Sequence, residues 1–126
     1  TGDYLIETVD PGAFDDNSIA NTVVTLSAVD NVTRSFSVIP YPWFTNSAGN
    51  QLNPIELDFQ LVCSSVKFTK EFGTGLRCAD GLVFGPSAVD GTYNFEDDSE
   101  FTLTFTDDIN SDCGDPVQTT YRFIKQ

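Results

Sequence analysis

The sequence predicts an all-β domain. The expected architecture is an antiparallel β-sandwich of about seven to nine strands, immunoglobulin-like, and a small closed β-barrel satisfies the same pattern. Three observations predict it. Apolar Phe101, Leu103 and Phe105 alternate with Thr102, Thr104 and Thr106, and a period of two places one set on each face of a strand. The alternation returns over Ile55, Leu57, Phe59 and Leu61. Short apolar runs then recur along the chain with turn residues between them and no helical periodicity.

The first strand is expected over Asp3–Val9 and stops at Asp10, Pro11 and Gly12. Asp15–Asn21 is polar and too short and irregular for a helix. Thr22–Val29 is the second strand, with Val24, Leu26 and Ala28 on one face. Asp30 and Asn31 turn the chain into a third strand, Thr33–Ile39, as a hairpin. Pro40 and Pro42 end it, because proline cannot donate to a ladder. The longest loop follows, Tyr41–Pro54, then a strand over Ile55–Cys63. Ser65–Thr69 continues that strand after a bulge or pairs with it. Gly73 and Gly75 bracket a turn, and Leu82–Phe84 is a short strand. Gly91–Phe95 and Glu100–Thr106 flank the acidic turn Glu96–Asp98. A second acidic loop, Asp107–Pro116, leads to the last strand, Val117–Ile124.

With 126 residues the chain is one domain, residues 1–126. Nineteen acids against six bases give a net charge of −13. Such a balance argues against nucleic acid, whose phosphates need a basic face, and against anionic lipid surfaces. No Lys or Arg lies between Arg77 and Arg122, whereas acids run from Asp80 to Asp115, so one region of the surface is strongly negative. No apolar run approaches the roughly 20 residues that span a bilayer, so no membrane insertion is expected. A chain that opens on Thr1 without a leader reads as a processed product or an excised domain.

There is no histidine, which removes the usual base near neutral pH and the Ser-His and Cys-His nucleophile arrangements. Adjacent acids in solvated turns do not raise a pKa as an acid catalyst requires. No enzymatic activity and no obligatory cofactor are therefore expected. Calcium is the metal that the acids suit, because it takes loop oxygens. Asp107, Asp108, Asn110, Asp112 and Asp115 are the candidate ligands, although no Glu closes the loop and no helices flank it. The alternative is a turn whose Asp and Asn side chains bond their own backbone. The long loop offers Tyr41, Trp43, Phe44, Asn46 and Asn50, a set able to stack on a sugar ring and bond its hydroxyls. Alternatively, Trp43 or Phe44 plugs one end of the fold.

Three cysteines, Cys63, Cys78 and Cys113, give one pair and one orphan as the simplest count. Cys63 ends one strand and Cys78 follows the Gly73–Gly75 turn, so a hairpin would bring these two together as a disulfide. Cys113 with Cys78 is the other pairing, leaving Cys63 in the core. Asn31–Thr33 matches the N-glycosylation triplet. A disulfide, few lysines and Thr/Ser/Asn-rich loops fit an extracellular setting.

Thr33–Phe36 after Val24–Leu26, Ile55–Cys63, Leu76–Cys78, Tyr93–Asp98, and Cys113 and Gly114 before Arg122–Lys125 stand in a recognisable order. This order resembles modules of secreted or surface-anchored, adhesin-like multidomain proteins of Bacteroidota. The resemblance implies an extracellular β-sandwich in a cell-surface assembly, with all three cysteines part of the module's pattern and no catalytic residues. The expected role is a non-catalytic spacer or adhesive unit. Its partners would be neighbouring domains or assembly subunits, including by strand addition at an exposed edge. The alternatives are a carbohydrate-binding module and an enzyme accessory or inhibitor domain.

Overall fold

A computed structural model describes residues 2–10, 19, 22–76, 78–94, 96–97 and 99–126. The polar stretch Asp15–Asn21, except for Ile19, lies outside the described residues, as do the turn at Pro11 and Gly12, Arg77, Phe95 and Asp98. The strands are β1 (Gly2–Asp10), β2 (Val23–Ala28), β3 (Thr33–Val38), β4 (Ile55–Val62), β5 (Ser65–Lys67), β6 (Phe72–Gly73), β7 (Val83–Phe84), β8 (Gly91–Thr92), β9 (Glu100–Asp107) and β10 (Val117–Lys125). The all-β, antiparallel expectation holds.

Eight strands form one sheet in the order β8-β5-β4-β3-β2-β1-β10-β9, while β6 and β7 form a separate ribbon. Read as a ring, that order follows the chain, with β6 and β7 as an excursion between β5 and β8. The sheet rolls up until its two ends meet. The Thr92 amide of β8 donates to Thr102 Oγ1 of β9 at 2.8 Å. Just after β7, Gly85 and Thr106 of β9 exchange backbone hydrogen bonds of 2.9 and 2.8 Å. Of the two architectures that the alternation permits, the strand order describes the nearly closed barrel.

Inward residues follow the predicted alternation. Phe101, Leu103 and Phe105 of β9 and Leu57, Phe59 and Leu61 of β4 are buried, and Tyr121 and Phe123 of β10 join them. Aromatic rings bind the core across strands. Phe101 stacks on Phe123 with centroids 4.6 Å apart, and Phe68 stacks on Phe105 at 5.0 Å. Such pairs contribute about 0.5–1.5 kcal/mol each beyond the area they bury.

The threonine face of β9 departs from the wet surface that its pattern suggests. Thr104 is buried and shares a 2.9 Å hydrogen bond with Thr120. Thr106 Oγ1 donates to the Pro86 carbonyl at 2.9 Å. Segment 85–92 lies over this row and uses its hydroxyls to close the barrel.

Closure requires a glycine. A Cβ on Gly91 would stand 2.0 Å from the Thr102 carbonyl oxygen, a backbone atom. Gly91→Ala should therefore destabilise the fold by about 1–3 kcal/mol, the cost of overpacking. Gly114→Ala, which has nothing within 4 Å, should stay within about 0.5 kcal/mol. Urea unfolding of both variants checks this, and equal midpoints would contradict it.

Candidate functional site

The ends of the barrel differ. At one end the connections are hairpin turns: 29–32, 63–64 and 93–99. At the other lie the long segment 39–54 and the described parts of 68–90, together with 108–116. Both site candidates from the sequence fall at the long-loop end and touch one another. Asp107 continues the inward row of Phe101, Leu103 and Phe105 and is fully buried. The Tyr41 hydroxyl donates to its carboxylate. Tyr41 is equally buried and adopts φ 48°, a left-handed conformation forced on a large side chain. Burial first, and the Asp107 charge second, raise the Tyr41 pKa far above the ordinary phenol value, so the hydroxyl stays a donor.

The other acidic residues are mostly occupied by backbone amides. Asp108, buried with φ 55°, accepts the Asp112 and Cys113 amides at 2.7 and 2.9 Å. Asp112 accepts the amides of Asp80, Ala79 and Cys78 at 2.7, 3.1 and 2.7 Å. Those bonds, the Asp80 amide foremost, hold the Asp112 carboxyl down at about 2. Asn110 and Asp115 are exposed. Among the described residues, no three of these carboxylates bring oxygens within 4.8 Å of one another. A calcium ion taking Asp108 and Asp112 would compete with five amide donors. Asp108 bonds the backbone of its own loop, the alternative that the sequence offers, whereas Asp112 reaches across to the backbone of the 78–80 segment.

The disulfide joins Cys78 to Cys113, with Cα atoms 5.3 Å apart. This corrects the expected Cys63–Cys78 pair. β4 turns into β5 through Cys63 and Ser64, with φ 50° and 72°, so Cys63 is exposed at the hairpin end of the barrel. Cys78 lies in the excursion at the opposite end, beside the 108–116 loop. Closing 35 residues of chain contributes about 4 kcal/mol in the chain-entropy account.

The aromatic loop is split by burial. Trp43 is 41% exposed rather than plugging an end. Its ring stands edge-on to Tyr41 and Phe44, with centroids 5.9 and 6.3 Å apart. Phe44 is half-buried against the core. Asn46 Oδ1 accepts the Ala48 and Asn50 amides at 2.9 and 3.1 Å, which shapes the turn. A shallow groove of about 510 Å³ runs past Asn46, Asn50 and Gln51 to Gly73 and Thr74. Of the five residues, Trp43, Asn46 and Asn50 are exposed, Phe44 is half-buried and Tyr41 is internal.

The chain matches no known protein-family model, no curated protein and no solved structure. Among the described residues, no helix is long and apolar enough to cross a membrane.

The Asp112 carboxyl sits at about 2 in the fold against an ordinary 3.8. Its contribution to stability is present above about 3.8 and is lost as pH falls toward about 2. Asp112→Asn should lower the thermal midpoint at pH 7, and the gap to wild type should close as pH approaches 2. Melting curves across that range test this, and a gap independent of pH would contradict it.

Proposed function

We propose that this chain is a non-catalytic module of an extracellular or cell-surface protein, serving as a rigid spacer or adhesive unit. The observation that carries the reading is the fastened end of the barrel. There the Cys78–Cys113 bridge, the Asp112 carboxylate on three amides and the Tyr41–Asp107 bond tie three loops together. Ionisable groups held this way, Tyr41 and Asp107 buried and Asp112 nearer the surface, rigidify a structure and are not poised to exchange protons with a substrate. The absence of histidine from the sequence agrees with a non-catalytic role. A disulfide persists in an oxidising compartment, and a net charge of −13 keeps an exposed domain dispersed.

A second reading, carbohydrate binding at the 39–54 loop, is favoured by one observation. Trp43 presents an exposed ring braced edge-on by Tyr41 and Phe44, and a braced aromatic face suits stacking on a sugar. A glycan array with wild type and Trp43→Ala separates the two readings. The spacer reading expects no glycan retained by either protein. A glycan held by wild type and released by Trp43→Ala would overturn it in favour of the second.

A further inference from the structure

At the hairpin end a cavity of about 50 Å³ enters the barrel, lined among the described residues by Tyr4, Leu26, Arg34, Phe59, Leu61, Tyr93 and Phe101. A wider groove of about 440 Å³ shares Arg34, Leu61 and Tyr93 with it and extends over Val32, Val62 and Cys63. Val32, in the β2–β3 turn and 42% exposed, and Val62, at the end of β4 and 38% exposed, line this groove. The walls of the wider groove are mostly aliphatic and aromatic, with Asn31 beside them and the guanidinium of Arg34 set among them.

That cation is placed by the strand. On β3, Arg34 falls on the same face as Phe36 and Val38, which are both buried, so period two aims Arg34 into the cavity. Its Nη1 donates to the Asp30 and Thr33 carbonyls at 2.9 and 3.1 Å, which tethers the guanidinium to the β2–β3 turn. The Asp30 carboxylate, the acid nearest in sequence, is turned to the Val32 and Thr33 amides at 2.9 and 2.8 Å. Among the described residues Arg34 makes no direct ion pair, although its charge is felt by the Asp30 carboxylate. Nε and Nη2, the other edge of the fork, donate to no described protein atom.

Two parallel N–H groups on one edge of a guanidinium match the two oxygens of a carboxylate. Apolar walls beside that edge match a hydrocarbon or aryl body, the usual division of labour in a small-molecule site at a barrel mouth. We propose that the groove beside Arg34 binds a small apolar carboxylate. The acid pairs with the Nε–Nη2 edge of Arg34 and its apolar part lies between Tyr93 and Leu61, toward Val32 and Val62. This site is at the opposite end of the barrel from the Trp43 loop and does not depend on the role proposed above.

The net negative charge of the protein opposes an anion at long range, but screening at physiological salt confines that opposition to about 8 Å. The expected dissociation constant is of order 0.1–1 mM. The test is a titration of the intact chain followed by NMR, with octanoate and 3-phenylpropionate as probes and 1-octanol as the uncharged control. Either acid should shift the Arg34 Hε resonance together with Val32, Leu61 and Tyr93, and which acid binds tells an alkyl guest from an aryl one. Octanol should bind at least about tenfold more weakly, the loss of a bidentate charge-assisted pair. Arg34→Gln should weaken the acid by a similar factor, and Arg34→Lys, which keeps the charge without the fork, should weaken it by less. If Arg34→Gln does not fold, the Lys variant and the octanol comparison still decide. No shifts in the groove with about 3 mM of either acid, or equal affinity for octanol, would overturn the proposal.

Discussion

The whole structure depends on covering the outer edge of β9. Rolling eight strands into a ring leaves one seam, and an open seam would expose a row of unpaired backbone groups and the greasy interior behind it. The chain closes the seam with two short contacts rather than a long ladder. Near one end the β8 backbone lies against Thr102, so closely that only Gly91 fits there. Near the other end Gly85 exchanges backbone bonds with Thr106, and a Cβ on Gly85 would meet Ile109 at 2.4 Å. Threonine hydroxyls on the outside of β9 bind the segment that bridges these two contacts.

Closure also explains why the ends differ. The excursion that carries β6 and β7 must leave β5 and return to β8 at one end, and it brings Cys78 with it. The β9–β10 loop brings Cys113 to the same place, so the covalent link forms there. Asp107 and Asp108, where β9 enters that loop, are drawn inward as structural acceptors. At the hairpin end Arg34 lies beside Leu61 and Tyr93, which line the same cavity and groove. The long-loop end is fastened by polar bonds, and those made by buried Tyr41, Asp107 and Asp108 also avoid a desolvation penalty.

Much of this was legible in the residues. The rows Phe101, Leu103, Phe105 and Leu57, Phe59, Leu61 fix the strand type and the inner face directly. Asp107 was legible in principle, because period two places it on the face of Phe105. Its place at the head of an acidic run masks this and suggests a solvated turn instead. The β4–β5 hairpin was harder to read. Its two turn residues, Cys63 and Ser64, take left-handed conformations that Asn and Gly usually supply. The cysteine pairing turned on which end of the barrel each cysteine occupies, a property of the ring and not of local spacing. Barrel and sandwich demand the same alternation, and the contact that selects the barrel rests on Gly91, which looks like any turn glycine. Arg34 shares period two with Phe36 and Val38, but only the ring order shows that it reaches a cavity at the hairpin end.

Native-state hydrogen exchange at the seam tests the closed barrel most directly. The amides of Gly85, Thr92 and Thr106 are each bonded across it. In a closed barrel they exchange only when the whole domain unfolds, alongside amides of the central strands. If these three exchange far faster than the β1–β10 ladder, by local opening, then β9 is a free edge and the account fails.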